Sequence, residues 1–175
     1  MNNKKKRLCF AVAVVIWMGV IFFFSAQNGQ QSSQISNGIT MRILRLLYPN
    51  LDNLSNVKQM ELLDTFSFFV RKAAHFTEYA ILGFLISGFF QTFYWKKWSL
   101  ILNTWLLGTA YAFSDEFHQM FLEGRSPKVG DVWIDSSGVL SGILAFYVVC
   151  AIITSIRHRS RAKKLQVERK ENDSR

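Results

Sequence analysis

Four stretches of this chain are too apolar and too long to be anything but helix buried in protein or lipid. The first, residues 8–24, runs seventeen residues without a charge or a strongly polar side chain. The others run over about 73–93, 98–117 and 132–156. A helix rises ~1.5 Å per residue, so some twenty residues cross a hydrocarbon layer of roughly 30 Å. Backbone groups in lipid must bond within their own segment, which leaves helices as the form of these segments. The fold expected is all-α: a polytopic membrane protein, a four-helix transmembrane bundle with short outer interfacial helices.

Residues 8–24 are read as an uncleaved anchor. The alternative is a signal peptide with the basic residues 4–7 in front, but Phe24 and Ala26 make a poor small-x-small cleavage site. The chain then divides into a basic cytoplasmic N-terminus at 1–7, one transmembrane domain at 8–156, and a basic cytoplasmic tail at 157–175.

The net charge of +9 resides in the two ends. Residues 4–7 carry +4 and residues 157–175 carry +5, leaving 8–156 balanced at nine basic and nine acidic residues. No basic groove is implied, and no nucleic-acid partner is expected. Basic residues 4–7, Lys96, Lys97 and the tail beyond Arg157 all fall on one side of a four-span topology, which the positive-inside rule makes cytoplasmic. Trp95 and Trp98 flank the lysine pair as an interfacial turn. The segment 25–72 and the loop 119–131 then lie outside. Arg42, Arg45, Lys58, Arg71 and Lys72 in 25–72 are a weak counter-signal.

Within 25–72, residues 27–38 are rich in Gln, Ser, Asn and Gly and read as a polar loop. Residues 39–47 and 57–70 show helical spacing of apolar positions, as two short interfacial helices or as a packed ectodomain hairpin. The tail beyond 157 is charge-dense and is read as disordered or drawn to anionic lipid. Cys9 and Cys150 carry no disulfide or metal signal.

The unusual polar residues converge on the outer ends of the spans. Arg71, Lys72, His75, Glu78 and Tyr79 open the second span, with 71, 75, 78 and 82 on one helical stripe. Asp115, Glu116, His118 and Gln119 close the third, and Asp131 and Asp135 open the fourth one turn apart. Counting inward at ~1.5 Å per residue puts Glu78 and Asp115 about one turn inside the hydrocarbon. An ionised carboxylate at the bilayer centre costs about 3 kcal/mol on insertion scales, and less near the interface. Solvated interfacial charges would explain any one of these residues, and a shared polar site explains the set better. A purely structural use remains open, with Arg71 or Arg125 pairing to Glu78, Asp115 or Asp135. Gly138 and Gly142, with Ser137, Ser141 and Ala145, give the fourth span a small-residue face suited to close packing within the chain, or to a homo-oligomer.

Four patterns stand in one order: Phe24-Ser25-x-Gln27; Arg71-Lys72-x-x-His75-x-x-Glu78-Tyr79-x-x-Leu82-Gly83; Ser114-Asp115-Glu116-x-His118-Gln119-x-Phe121-x-x-x-Arg125; and Asp131-x-x-x-Asp135-x-x-Gly138. On them the chain resembles the VanZ-like family of small bacterial membrane proteins, over about two thirds of its length. The resemblance implies association with glycopeptide resistance, teicoplanin-type lipoglycopeptides in particular, and a role at the cell envelope. It carries over Arg71, Lys72, His75, Glu78, Tyr79, Asp115, Glu116, Gln119, Arg125, Asp131 and Asp135 as ligand-binding positions.

Three functions fit these residues. In the first, the cluster binds an envelope lipid, a lipid-linked precursor or a lipoglycopeptide, with Arg71, Lys72 and Arg125 on phosphate or carboxylate. In the second, the chain is an intramembrane enzyme on a lipid-linked substrate, with His75, Glu78, Asp115 and Glu116 as catalytic candidates. The sequence has no HExxH, no PSGH-like phosphatase signature, no nucleophile elbow and no P-loop. A metal variant would use His75, Glu78, Asp115, Glu116 and Asp135, although no metal or other cofactor is expected. The third, a transporter subunit, is disfavoured by small size, the lack of an inverted repeat and polar residues crowded at one end.

Overall fold

The structure, a computed structural model, describes residues 2–93, 96–125 and 129–173. Five α-helices account for most of them: α1 Asn3–Ser25, α2 Gly29–Leu47, α3 Asn56–Gln91, α4 Lys97–Gln119 and α5 Val129–Asp173. A short 3-10 turn, Leu51–Asn53, links α2 to α3. The all-helical expectation holds. Among the described residues, α1, α3 and α5 are long and apolar enough to cross a membrane. α4 has 23 residues, long enough, but Asn103, Thr104, Thr109 and Ser114 dilute its apolar run. Trp95 of the expected interfacial turn lies outside the described residues, and Trp98 is exposed.

Three local expectations are corrected. Residues 27–38 are not a loop, because α2 starts at Gly29. Its start is a capping box: Asn28 Oδ1 accepts from the Gln31 amide at 2.9 Å, and Gln31 Oε1 accepts from the Asn28 amide at 3.4 Å. The helix expected at 57–70 and the span at 73–93 are one helix of 36 residues. Arg71 and Lys72 between them are good helix formers, and no Gly or Pro interrupts the run before Gly83. The tail is not disordered through its described length. α5 continues to Asp173, with no Gly or Pro after Gly142 and many Lys, Arg and Glu residues.

α3 is the hub and packs against each of the other four helices, most extensively against α5. Side chains of Ile21, Tyr79, Leu82, Ile86, Ala112, Val139 and Ile143 form the central core. Association of helices in lipid relies on close packing, since lipid tails are as apolar as leucine. Glycines supply it here. A Cβ on Gly138 would lie 2.4 Å from the Phe76 carbonyl oxygen, one on Gly142 1.9 Å from that of Ala80, and one on Gly83 2.4 Å from that of Val139. The small-residue face of α5 is therefore filled by α3 within the chain, and a second copy could use it only by displacing α3. Polar side chains tie α1 and α4 to this pair and to each other. Trp17 Nε1 donates to the Glu78 carbonyl at 2.8 Å, Tyr111 Oη to the Met18 carbonyl at 2.7 Å, and Trp105 Nε1 to Ser136 Oγ at 2.9 Å.

Gly142→Leu is expected to destabilise the protein by about 1–3 kcal/mol or to prevent its folding, because backbone blocks the new side chain. Gly19→Ala, where a Cβ meets nothing within 4 Å, is expected to leave stability unchanged or slightly raised. Thermal unfolding of the detergent-purified variants checks both.

Candidate functional site

The site lies where α1 and α4 end and α5 begins, beside the middle of α3. All five helices and the loop after α4 contribute to it. Arg71, Lys72, His75 and Glu78 come from successive turns of α3, Ser25 and Gln27 from the end of α1, Asp115, Glu116 and Gln119 from the last turns of α4, and Asp131 and Asp135 from the first turns of α5. Arg125 sits in the loop after α4.

α2 closes the site from the side, pinned by a pair of glycines. The Gly29 amide donates to the Glu123 carbonyl at 3.0 Å. Gly124 holds a φ of +71°, a conformation that favours glycine. A Cβ on Gly29 would lie 2.2 Å from the Gly124 carbonyl oxygen. Docked in this way, α2 presents Ser33 and Ser36 to Arg71, whose Nη2 donates to their hydroxyls at 3.2 and 3.5 Å.

The arginines therefore do not pair with Glu78, Asp115 or Asp135 as the structural alternative supposed. Arg125 Nε donates to the Gln27 carbonyl at 3.3 Å, and its Nη1 to Gln119 Oε1 at 3.2 Å. Gln119 Nε2 in turn donates to Ser25 Oγ at 2.8 Å and to Asp115 Oδ2 at 3.3 Å. Both guanidiniums thus rest on neutral oxygens. They are near enough to repel, and burial together with Arg71 pushes the Arg125 guanidinium below its ordinary pKa. Between described residues Lys72 forms an ion pair with Asp131, in direct contact, and His75 faces Asp135, with Nδ1 and Oδ1 3.7 Å apart.

Two adjoining clefts open here, each of about 230 Å³. Arg71, His75 and Arg125 line both. One continues past Lys72, Gln119 and Asp131 and is polar. The other continues past Glu78 to Phe24, Ile35, Ile39 and Val70. Phe24, Ile35 and Ile39 are 44–48% exposed, so this cleft leads outward along an apolar wall.

Of the residues singled out from the sequence, Arg71, Lys72, His75, Glu78, Gln119, Arg125 and Asp131 line these clefts. Tyr79, Asp115 and Asp135 lie beneath, at 0%, 5% and 2% exposure. Tyr79 and Asp115 are electrostatic neighbours, but their approach does not meet hydrogen-bond geometry. Glu116 is half-buried and lines neither cleft. Ser33, Ser36, Gly29 and Gly124 escaped the sequence reading. The capping box at Asn28 and Gln31 was the available signal, since it turns the supposed loop into a helix. Nine buried side-chain polar atoms have no hydrogen-bond partner among the described residues; six of them, Arg71 Nε, His75 Nδ1, Tyr79 Oη, Asp115 Oδ1, His118 Nδ1 and Asp135 Oδ1, belong to the residues around this site, and the others are the hydroxyls of Thr40, Ser87 and Thr104. Such concentration at one end is unusual, as each atom costs about 1–3 kcal/mol when left unbonded. Among the described residues no three His, Cys, Asp or Glu side chains gather closely enough to hold a metal ion, so the five-residue metal set is not assembled.

The ordered motifs thus meet in space, and a family model describes the same stretch: VanZ/LLP1 matches residues 10–152. The chain belongs to the VanZ/LLP1 family. With its apolar helices, that membership makes it a membrane protein. No curated protein and no solved structure matches the chain. The VanZ/LLP1 match takes in every residue of both clefts and stops within α5, leaving out the basic end of that helix.

Gln119→Ala removes bonds to Ser25, Asp115 and Arg125 together. It is expected to lower unfolding stability by about 1–3 kcal/mol, measured by thermal or denaturant unfolding in detergent.

Proposed function

We propose that this VanZ/LLP1 protein crosses the membrane four times with both ends in the cytoplasm, and that its cleft binds the anionic head group of a membrane amphiphile at the extracytoplasmic face. One observation carries the reading: a single cleft joins two guanidiniums to an outward-leading apolar wall. Guanidiniums bind phosphate or carboxylate through paired, charge-assisted hydrogen bonds. The apolar wall of Phe24, Ile35, Ile39 and Val70 suits an acyl chain. Two like charges held side by side gain most from an anion placed between them.

The orientation is supported by the opposite end of the bundle, where basic residues meet aromatic ones. Arg7 donates to Thr92 and stacks 3.9 Å over the Phe93 ring, and Lys97 lies 4.8 Å over that of Tyr147. Basic residues at that end favour the cytoplasm. A family role in resistance to teicoplanin-type lipoglycopeptides follows naturally. A protein that holds anionic amphiphiles at the outer leaflet changes what a lipid-anchored drug meets there.

The test is retention of phosphatidylglycerol against phosphatidylcholine by the protein in mixed nanodiscs, read by native mass spectrometry. Arg71→Ala with Arg125→Ala is expected to weaken phosphatidylglycerol retention at least about tenfold, the loss of about 1.4 kcal/mol. Unchanged retention by a folded double variant refutes the cleft as the head-group site. For orientation, Asn28→Cys in a cysteine-free background should react with an impermeant thiol reagent on intact cells. Lys97→Cys and Arg161→Cys should react only after lysis, and the reverse pattern inverts the topology.

A further inference from the structure

We propose that the cleft hydrolyses the phosphate monoester of a membrane lipid, with His75 as the general base. This rests on the head-group reading above and adds chemistry to it. His75 lines both clefts beside Arg71 and Arg125. Behind it lies Asp135, 2% exposed, with Oδ1 3.7 Å from His75 Nδ1. Both atoms are buried and have no other partner among the described residues. The contact is longer than a formed hydrogen bond, as unliganded catalytic contacts often are. With Nδ1 turned to a buried carboxylate, the imidazole meets the cleft through Nε2. A carboxylate behind an imidazole fixes its tautomer and stabilises the imidazolium that forms when Nε2 takes a proton. Glu78, one turn further along α3, lines the apolar side of the same cleft. Base, acid and two guanidiniums thus face one space.

A network serving only to hold helices together would set the arginines on the carboxylates. Here the arginines rest on Ser33, Ser36, Gln27 and Gln119, and the carboxylate stands behind the histidine. Two guanidiniums match the two charges of a phosphate monoester better than the single charge of a diester.

The step balances without an oxidant or reductant. A water oxygen bonds to phosphorus while its proton passes to His75 Nε2. The phosphorus–oxygen bond to the lipid alcohol breaks, and the departing oxygen takes a proton from the protonated carboxyl of Glu78. Arg71 and Arg125 neutralise charge on the non-bridging oxygens. The products are the lipid alcohol and inorganic phosphate. Solvent then carries the proton from His75 back to Glu78.

The experiment places the purified full chain in nanodiscs with phosphatidic acid, with phosphatidylglycerol, or with soluble p-nitrophenyl phosphate. Diacylglycerol and inorganic phosphate are measured. Phosphatidic acid is expected to turn over, and His75→Gln or His75→Asn to reduce the rate at least about 100-fold with binding retained. Asp135 is a positioning residue. Asp135→Asn should lower kcat with little change in KM and shift the pH profile, and Asp135→Glu should recover part of the rate. Binding of phosphatidic acid without product above the His75→Gln level overturns hydrolysis and leaves the head-group reading standing. No binding overturns both. Turnover of the soluble ester alone overturns the lipid assignment.

Discussion

The register between α3 and α5 is the constraint on which the rest of the molecule depends. The two helices run parallel and meet rung by rung: Lys72 with Asp131, His75 with Asp135, Phe76 with Gly138, and Ala80 with Gly142. The upper rungs are ionisable side chains and the lower ones are backbone on backbone. These are one contact, since the glycines set how closely the axes approach and the axes set how far His75 lies from Asp135. A Cβ at Gly142 would wedge against the Ala80 carbonyl oxygen and open the ladder from below. The small-residue stripe, read alone, suits close packing within the chain or a dimer. In place it is the spacer that makes a polar pair possible in a bundle with an apolar exterior.

Much of this ladder is legible in the sequence because both helices keep their polar and small residues on single stripes. Asp131, Asp135, Gly138 and Gly142 fall at successive turns, as do Arg71, His75 and Glu78. Topology then brings the stripes to one end of the bundle. What could not be read is the contact of α2 with the loop after α4. It joins Gly29 to Glu123 and Gly124 across some ninety residues of chain, through a backbone hydrogen bond to the Glu123 carbonyl and a positive φ at Gly124. Residues 27–38 carry little apolar periodicity, so composition favours a loop, and only the Asn28–Gln31 cap and the tertiary contact overrule it. With α2 misplaced, Arg71 had no visible partner but a carboxylate, and the supposed ion network followed from that. The length of α3 was hidden for a similar reason. Arg71 and Lys72 look like a membrane boundary, yet a boundary in polarity does not end a helix.

The electrostatic order of the site follows from these two placements. α2 and the Gln27 carbonyl supply neutral oxygens to the guanidiniums, so Arg71 and Arg125 keep their charge directed at the cleft. The acids sit lower, Asp115 under Gln119 and Asp135 behind His75. A direct arginine–carboxylate pair would have cancelled both members and left an inert strut. Separation by one layer of amide and hydroxyl groups balances the cations at short range without capping them.

Separation also leaves bonding unfulfilled, and the pattern of unfulfilled groups bears on what the site is for. Arg71 Nε belongs to the upper layer, and His75 Nδ1 and Asp135 Oδ1 to the lower. A structural core would be selected to remove such atoms, because apolar replacements of the same shape are at least as stable. Retaining them is consistent with a bundle whose stability comes from the glycine contact and the hydrogen bonds of Trp17, Trp105 and Tyr111, whose side chains do not line the cleft. That rigid frame can carry an incompletely bonded site, in which an anion drawn in between Arg71 and Arg125 would give Arg71 Nε the acceptor it lacks.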